Sequence, residues 1–312
     1  MQGKDLLSVS DLSSDDIQSL IKSAVDMKNK RLTLLCGKTM ALVFEKSSLR
    51  TRVSFELAMR QLGGDCIYLS PGEVGLGKRE PVSDVARVLS RYVDLIVART
   101  YSHRTLDIMA SYASIPVINA LSDLEHPCQA LADLLTIYEK KGQLSGTALA
   151  FVGDGNNVSQ SLMLAAALAG INFRIASPRG YEVKEDILYQ AQAYSLDSGS
   201  EIVCTHEPRQ AVSGADVIYT DVWTSMGQED EAEFRREIFS EYQINAEMIA
   251  LAKKDALIMH PLPAHRGEEV TENIIESERS LVFDQAENRL HIQKALLAMM
   301  LGDSKMFLTN HG

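Results

Sequence analysis

Short apolar runs rich in β-branched residues alternate with segments of helical periodicity along most of the chain. This alternation is typical of parallel sheets covered by helices, so the pattern predicts an α/β fold. Ser13 and Asp16 have the spacing of a capping box. The apolar positions Ile17, Leu20 and Ile21 follow at helical spacing, which predicts an amphipathic helix as the first element.

The predicted strands fall into two series, separated by the polar, glycine-containing stretch 140–146 (KKGQLSG), where a domain boundary is expected. The first series comprises Thr39–Phe44, Cys66–Leu69, Leu95–Arg99 and Pro116–Asn119. The second comprises Ala148–Val152, Phe173–Ala176, Ile202–Cys204, Val217–Thr220, Leu257–Met259 and Leu281–Phe283. A closing helix is predicted over 286–301, where Ala, Leu and Met are frequent.

The amino-acid composition indicates the class of protein and its cellular compartment. The 312 residues correspond to about two domains, with 46% hydrophobic and 23% charged residues, as in ordinary globular proteins. The 31 basic and 42 acidic side chains give a net charge of −11, which excludes a broad nucleic-acid-binding face. The four cysteines lie at least 30 residues apart, and the longest apolar stretch, 162–169, is too short for a bilayer. We therefore expect a cytoplasmic protein without a membrane span.

The segment FEKSSLRTRVSF passes from a predicted strand end through a polar turn into a helix. Ser48, Leu49, Arg50 and Thr51 then occupy the first helical turn, where free backbone N–H groups and the helix dipole favour an anion. The guanidinium and hydroxyl groups add to this cradle, so the segment predicts a phosphate site. A solvated helix cap with surface arginines would show the same pattern.

The tetrapeptide 126–129 (HPCQ) lies at another change from strand and loop to helix. His126 and Gln129 can therefore point into the crevice at the carboxyl ends of the strands, where open α/β sheets bind ligands. They offer an imidazole and an amide. A purely structural helix cap is the alternative for both residues.

Two glycine-rich runs look like nucleotide motifs, and both fail. In 151–158 (FVGDGNNV) the third glycine position holds Val158, and the next strand ends at Ser177 without a carboxylate for a ribose. Asn157 is better interpreted as a hydrogen-bonding group at the crevice. The run 72–79 (GEVGLGKR) has the spacing of a P-loop but lacks the Ser or Thr needed for Mg²⁺. It is interpreted as a mobile loop that reaches a ligand or a neighbouring subunit.

Two later segments, 221–229 (DVWTSMGQE) and 260–267 (HPLPAHRG), also follow predicted strands. Asp221 and Ser225 could bind an ammonium group or the amino-acid end of a substrate. Leu262, between two prolines, would present a backbone carbonyl that cannot rejoin a helix. Ordinary strand-to-helix loops remain the alternative for both segments.

In this order, KSSLRTR, HPCQ and DVWTSMGQE resemble the S-x-R-T-R, H-P-x-Q and D-x-x-x-S-M-G motifs of the aspartate/ornithine carbamoyltransferase family. The resemblance runs from about residue 3 to about residue 302, and the last motif marks the ornithine enzymes. It implies two doubly wound α/β domains joined by interdomain helices. A carbamoyl phosphate domain would span 1–142, with the helix 286–302 packing back on it, and an ornithine domain would span 143–285.

The resemblance also implies an activity, transfer of the carbamoyl group from carbamoyl phosphate to the δ-amine of L-ornithine, and a role for each site residue. Arg50, Arg99 and His126 would be catalytic, and Pro261 occupies a catalytic position. The implied carbamoyl phosphate ligands are Ser48, Leu49 (backbone), Arg50, Thr51, Arg99, His126, Gln129, Leu262 (backbone carbonyl) and Arg289. The implied ornithine ligands are Asn157, Asp221, Ser225 and Met226 (backbone). Metal and organic cofactors are not implied, and the expected assembly is a homotrimer or a multiple of trimers.

The sequence departs from the family pattern at two positions. Ornithine enzymes usually read H-C-L-P where this chain has HPLP, the form of the aspartate enzymes, so a thiol near the δ-amine is absent at Pro261. Gly75 stands where family members tend to carry Gln or His, and Lys78 could substitute. Carbamoyl transfer to another amine, such as aspartate, putrescine or an acylated ornithine, is therefore kept as an alternative. A catalytically silent binding protein on the same fold is the other.

Overall fold

The structure, a computed structural model, describes residues 1–224 and 229–302. Within them the chain forms two compact units. The first unit joins Met1–Leu135 to the chain from Asn288 onward, and the second is Thr136–Glu287. The expected domain limits at 142, 143 and 285 remain predictions beside this division. No helix within the described residues is both long enough and apolar enough to cross a membrane.

The first unit is a four-stranded parallel sheet with helices, in the strand order β2-β1-β3-β4. Its strands are β1 (Thr39–Phe44), β2 (Asp65–Leu69), β3 (Leu95–Arg99) and β4 (Val117–Leu121). Its helices are α1 (Ser14–Met27), α2 (Leu49–Gln61), α3 (Pro71–Val74), α4 (Val82–Leu89), α5 (His103–Tyr112) and the start of α6 (Pro127–Lys141). A short 3-10 helix, Val9–Asp11, precedes them. The central strands are buried on both faces, which is why they read as continuous apolar runs.

The second unit is a five-stranded parallel sheet in the order β7-β6-β5-β8-β9. Its strands are β5 (Ala148–Val152), β6 (Asn172–Ala176), β7 (Ile202–Thr205), β8 (Val217–Tyr219) and β9 (Leu257–Met259). Its helices are α7 (Asn157–Leu168), α8 (Glu185–Ser198), α9 (Pro208–Val212), α10 (Ala232–Phe239), α11 (Ala246–Ile249), α12 (Glu272–Ile275) and the start of α13 (Val282–Leu301). Two 3-10 helices are Glu229–Glu231 and Ser240–Tyr242.

Each sheet reverses its direction of winding beside its first strand. In the first unit the chain moves from β1 to β2 and then returns to β3 on the other side of β1. In the second unit β6 and β7 lie on one side of β5, and β8 and β9 lie on the other. Ligands of doubly wound sheets bind at the carboxyl ends of the strands at such a reversal. A ligand is therefore expected at the turns after β1 and β3 and at those after β5 and β8.

The fold class is confirmed, since both sheets are parallel and flanked by helices. The capping box is also confirmed: the hydroxyl of Ser13 accepts from the N–H of Asp16, and the carboxylate of Asp16 accepts from the N–H of Ser13. Buried apolar side chains on the inner face of α1 then follow the predicted spacing, among them Ile17, Leu20 and Ile21.

The predicted strand Leu281–Phe283 is wrong, because α13 begins at Val282. Ser280 forms only an isolated bridge with Ile258, and the N–H of Leu281 donates to the carbonyl of Ile258 at 2.8 Å. A short apolar run carries too little periodicity to separate a strand from the first turn of a helix. The single bridge shows that the chain touches the sheet edge before the helix begins.

The apolar residues Val53, Leu57, Met59 and Leu62 predict the buried face of α2, and this prediction is partly wrong. Val53 and Leu57 are 44% and 42% exposed within this chain, whereas Thr51 and Phe55 are buried. The helix therefore turns a hydroxyl residue of its first turn towards the protein interior. This orientation matters for the site at its N-terminus.

Candidate active site

The turn between β1 and α2 forms a capped helix N-terminus. Ser48 has extended backbone geometry, and its hydroxyl accepts a hydrogen bond from the N–H of Thr51 at 3.3 Å. The N–H groups of Leu49 and Arg50, the first two helical residues, lie in the part of a helix that has no intrahelical acceptors. This turn therefore offers backbone donors and a positive dipole end to an anion.

Thr51 links this helix to two buried arginines. Arg99, the last residue of β3, donates from Nη1 to Thr51 Oγ1 at 3.3 Å, and Arg289 of α13 donates from Nη2 to the same oxygen at 2.6 Å. Among residues 1–224 and 229–302, the Nε atoms of both arginines have no hydrogen-bond partner. Two guanidinium groups thus converge on one hydroxyl, and the Nε–H donor of each arginine is left for another acceptor.

Burial and mutual repulsion mark this group as a site for negative charge. Burial, together with the charge of Arg50, lowers the pKa of Arg99 to about 10. Burial lowers the pKa of Arg289 to about 10, and Arg99 and Arg50 add to this effect. The pKa of Arg50 is also lowered by burial. An anion bound here would offset both the burial of these charges and the repulsion between them. Arginine is well suited to phosphate because it can donate two parallel hydrogen bonds.

His126 precedes α6 and is buried in the same unit. Burial and the charges of Arg289, Arg99 and Lys46 hold its pKa well below the usual range for histidine. The imidazole is therefore neutral at neutral pH and offers one N–H donor. A neutral donor at a cationic site can polarise a carbonyl oxygen without adding another positive charge.

Gln129, in the first turn of α6, has one end of its amide fixed. Its Nε2 donates to Asp133 Oδ1 at 2.8 Å, and its Oε1 has no partner within the described part of the chain. Asp133 therefore orients the amide so that the oxygen is the free acceptor. An NH₂ group is the natural donor to such an oxygen.

The structure thus brings Thr51, Arg99 and Arg289 into contact. The charges of both arginines also act on the imidazole of His126.

In the second unit, Asp221 follows β8 and is held by two donors. Asn156 Nδ2 donates to its Oδ2, and the N–H of Val222 donates to its Oδ1, each at 2.8 Å. Burial raises the pKa of Asp221, while His260 and the hydrogen bond from Asn156 oppose this change. A buried carboxylate that is oriented in this way can receive an ammonium group.

The sequence pointed to Asn157, but Asn156 is the asparagine that contacts Asp221. Asn156 is the N-cap of α7, and its Oδ1 accepts from the N–H groups of Val158 and Ser159 at 2.9 and 3.1 Å. Asn157 is the first helical residue of α7. An Asn followed by a helix is a cap signal, and this signal could have identified the residue.

The remaining predicted acceptor residues are Ser225 and Met226. Both lie outside the described residues. Their assignment to ornithine stays a prediction.

The loop after β9 is fixed by His260 and Glu269, a pair that no sequence motif indicated. His260 Nδ1 accepts from the N–H of Leu262 at 2.9 Å, and His260 Nε2 lies 3.1 Å from Glu269 Oε1. Glu269 Oε1 also accepts from the N–H of His265 at 2.6 Å. Leu262 has a left-handed φ of 54°, which is rare for a residue with a branched side chain. The pair therefore stabilises an unusual backbone around Pro261 and Leu262.

One further expectation stays a prediction. The run 72–79 overlaps the short helix α3, and its Leu76 forms a bridge with Glu80, so part of it is ordered structure. A reach to a ligand through Lys78 is not tested by these contacts. His265, Glu268 and Glu269 bring potential metal-ligand atoms within 4.8 Å of one another, but Glu268 already pairs with Arg236. We assign no metal to them.

Comparison with known proteins identifies both units. Residues 4–139 match the family model described as the carbamoyl-P binding domain of aspartate/ornithine carbamoyltransferase. Residues 145–300 match the model described as the Asp/Orn binding domain of the same family.

Individual relatives carry one name. The chain is 52% identical over 306 residues to the ornithine carbamoyltransferase of Anoxybacillus flavithermus, covering 96% of this chain and 98% of the relative. The solved ornithine carbamoyltransferase of Pyrococcus furiosus is 50% identical with a TM-score of 0.94, covering 96% of this chain and 97% of that one. The anabolic ornithine carbamoyltransferase of Campylobacter jejuni is 40% identical with a TM-score of 0.92, covering 95% and 98%. The chain therefore belongs to the aspartate/ornithine carbamoyltransferase family.

Proposed function

We propose that this protein transfers the carbamoyl group of carbamoyl phosphate to the δ-amine of L-ornithine, producing L-citrulline and phosphate. The observation that carries this function is the convergence of Arg99 and Arg289 on Thr51 at the start of α2. The names of the relatives and the S-M-G motif in the sequence support ornithine as the acceptor.

The first unit binds the donor in this proposal. The phosphate accepts from the N-terminal backbone of α2 and from the guanidinium groups of Arg50, Arg99 and Arg289. The hydroxyl of Ser48 can turn from its capping bond towards the same anion. Gln129 Oε1 accepts from the carbamoyl NH₂, since Asp133 holds the other end of its amide. Hydrogen-bond donors thus recognise the phosphate group, and a hydrogen-bond acceptor recognises the carbamoyl NH₂ group.

The chemical step is acyl transfer to nitrogen. The neutral δ-amine attacks the carbamoyl carbon, a C–N bond forms, and the C–O bond to phosphate breaks. Negative charge develops on the carbonyl oxygen, and the neutral N–H of His126, the Thr51 hydroxyl and the Arg99 guanidinium stabilise it. The proton lost by the amine passes to the departing phosphate. The chain needs no protein nucleophile for this sequence of bonds.

The second unit binds the acceptor. Asp221 pairs with the α-ammonium group, and Asn156 keeps its carboxylate oriented. Asn157, Ser225 and the backbone of Met226 bind the rest of the amino-acid end, and the carbonyl of Leu262 accepts from the carbamoyl NH₂. The pair formed by His260 and Glu269 supports that carbonyl by fixing the loop.

Pro261 is the observation that favours a second candidate, the transfer to aspartate. The HPLP form lacks the thiol that ornithine enzymes usually place there. The S-M-G motif and the names of the relatives argue against aspartate. Ornithine is therefore the preferred acceptor in this proposal.

The proposal includes assembly and setting. We infer a homotrimer, or a multiple of trimers, in the cytoplasm, acting without a metal or organic cofactor. The anabolic names of two relatives, from P. furiosus and C. jejuni, support the biosynthetic direction, towards arginine.

Purified protein incubated with carbamoyl phosphate and each of L-ornithine, L-aspartate, 1,4-diaminobutane and N-acetylornithine tests the function. Citrulline formation should exceed the product of every other amine by at least about a hundredfold in kcat/KM, as expected when a charged group is matched by a buried partner. A larger rate with aspartate would assign the second candidate. No turnover with any amine would instead indicate a silent binding protein. Light scattering and sedimentation of the same sample test the trimer.

A further inference from the structure

A second carboxylate stands beside the proposed acceptor site. Asp154 follows β5 and Asp221 follows β8, and these two strands are hydrogen-bonded neighbours, with Phe151 opposite Tyr219. Asn156, two residues beyond Asp154, contacts Asp221 at 2.8 Å. The charge of Asp221 helps burial to raise the pKa of Asp154 to about 6, so the two groups interact. A buried carboxylate, Asp221, and a carboxylate that is 13% exposed, Asp154, therefore lie at one strand reversal.

One arginine neutralises Asp154. Arg235 of α10 donates from both Nη2 and Nη1 to Asp154 Oδ2, at 2.7 and 3.2 Å. Its side chain is only 3% exposed, and its guanidinium lies over the rings of Tyr181 and Phe239, 4.8 and 5.7 Å from their centroids. This cation is enclosed by aromatic faces and hydrogen-bonded to Asp154, and its Nε also lies 4.0 Å from the exposed carboxylate of Glu231. Such a pair is expensive to form, because both charges lose most of their contact with water.

We propose that Arg235 is a specificity-determining residue, because its charge cancels that of Asp154, so that of these two neighbouring carboxylates Asp221 alone presents an uncompensated negative charge to the acceptor. An α-amino acid brings an ammonium group together with a carboxylate to this end of the site, and a single negative charge suits it. An aliphatic diamine brings an ammonium group without a carboxylate, and a second negative charge would favour it. This inference rests on the proposed function, in which Asp221 binds the α-ammonium group.

The chain allows a charge series at this position. Asp154, Asp221 and Arg235 sum to −1 in the parent, to −2 in Arg235→Gln, to 0 in Asp154→Asn, and to −1 again in the double variant. Arg235→Lys keeps the parent sum. Arg236→Gln is the matched control, because Arg236 is the next residue of α10 and pairs on the surface with Glu268 at 2.9 Å. Assays run well above pH 6 keep Asp154 ionised.

The measurement is the ratio of two constants for each variant: the KM for L-ornithine and the inhibition constant of 1,4-diaminobutane competing with it. We expect Arg235→Gln to shift the ratio about tenfold in favour of the diamine, and Asp154→Asn to shift it in the opposite direction. The double variant should return within about threefold of the parent, as should Arg235→Lys and Arg236→Gln. A loss of packing would lower activity in every buried variant without ordering the ratio by charge.

The outcomes separate the two proposals. A parent that forms no citrulline overturns the proposed function. An active parent whose ratio is the same in Arg235→Gln, Asp154→Asn and the double variant overturns the role of Arg235 alone. Circular dichroism confirms folding. If Arg235→Gln does not fold, Asp154→Asn still decides, because its expected shift has the opposite sign and an unchanged ratio there contradicts the inference.

Discussion

Arg289 carries a charge that the ligand-free protein holds at a cost. Its pKa is lowered from 12.5 to about 10 by burial and by the neighbouring Arg99 and Arg50. At 1.36 kcal/mol for each pKa unit, this lowering corresponds to about 3 kcal/mol against the charged form. The hydrogen bond to Thr51 offsets it, because a bond from a charged donor contributes about 1.5 to 3 kcal/mol.

These two contributions nearly cancel, so Arg289→Met should change the stability of the ligand-free protein by less than about 1 kcal/mol. Removing one partner of an ordinary buried ion pair would cost about 3 to 5 kcal/mol instead. Phosphate should stabilise the parent against unfolding much more than it stabilises Arg289→Met. At a hundred times its dissociation constant it stabilises the parent by about 2.7 kcal/mol, and a hundredfold weaker affinity would reduce this gain to about 0.4 kcal/mol.

Thermal unfolding followed by circular dichroism, with and without phosphate, measures both effects. Arg87→Gln is the control, because Arg87 is an exposed arginine of the same unit that pairs with Asp84. We expect the control to behave like the parent in both buffers. The idea that this charge is kept for the anion would be refuted by two results together. Without phosphate, Arg289→Met would have a melting temperature far below that of the parent, and phosphate would still stabilise the variant.

The other predictions concern activity and the turn after β5. Arg50→Ala should lower kcat/KM at least about tenfold with the fold intact, because it removes a charge-assisted contact with phosphate, and unchanged turnover would contradict the assignment. His126→Ala should lower kcat by about a hundredfold and raise the KM for carbamoyl phosphate much less, since its N–H acts on the developing oxyanion. Pro261→Cys should keep ornithine as the preferred acceptor within about tenfold in rate, whereas Asp221→Asn should be far more harmful in the same citrulline assay, because only the second removes a charge. Gly155→Ala should lower the melting temperature, because a Cβ there would lie 2.2 Å from the carbonyl carbon of Glu182; Gly72→Ala, with open space around it, is the control.

Local sequence determined most of the architecture. The apolar runs of β1, β3, β5 and β9 give the observed bounds because a strand covered on both faces needs an uninterrupted apolar pattern. The helix starts at Ser48 and His126 could be found because polar residues before an apolar period mark an N-terminus. The candidate anion site could be predicted for the same reason, since helix N-termini bind anions through local backbone groups.

Contacts between distant residues were not visible in the residues themselves. Arg289 reaches Thr51 across 238 positions, and only the family resemblance suggested its role. Glu269 and His260 are separated by nine positions, but their contact depends on a loop that folds back with a left-handed residue at Leu262. Periodicity predicts which side of a helix or strand is buried. These pairs depend instead on tertiary folding, which brings residues that are distant in sequence together.

The glycines after β5 explain a nucleotide-like motif by the requirements of this chain's own backbone. Gly153 has a φ of 145°, a conformation that L side chains rarely adopt. Gly155 donates to the carbonyl of Tyr181 at 2.7 Å, and a Cβ on it would collide with the backbone of Glu182. In a dinucleotide fold the corresponding glycines admit a pyrophosphate. Here the space at Gly155 is taken by this chain's own backbone, and the turn leaves Asp154 to meet Arg235 and Asn156 to meet Asp221. The same backbone requirement that produces the Gly-x-Gly pattern therefore fixes the charges that the proposed acceptor would meet.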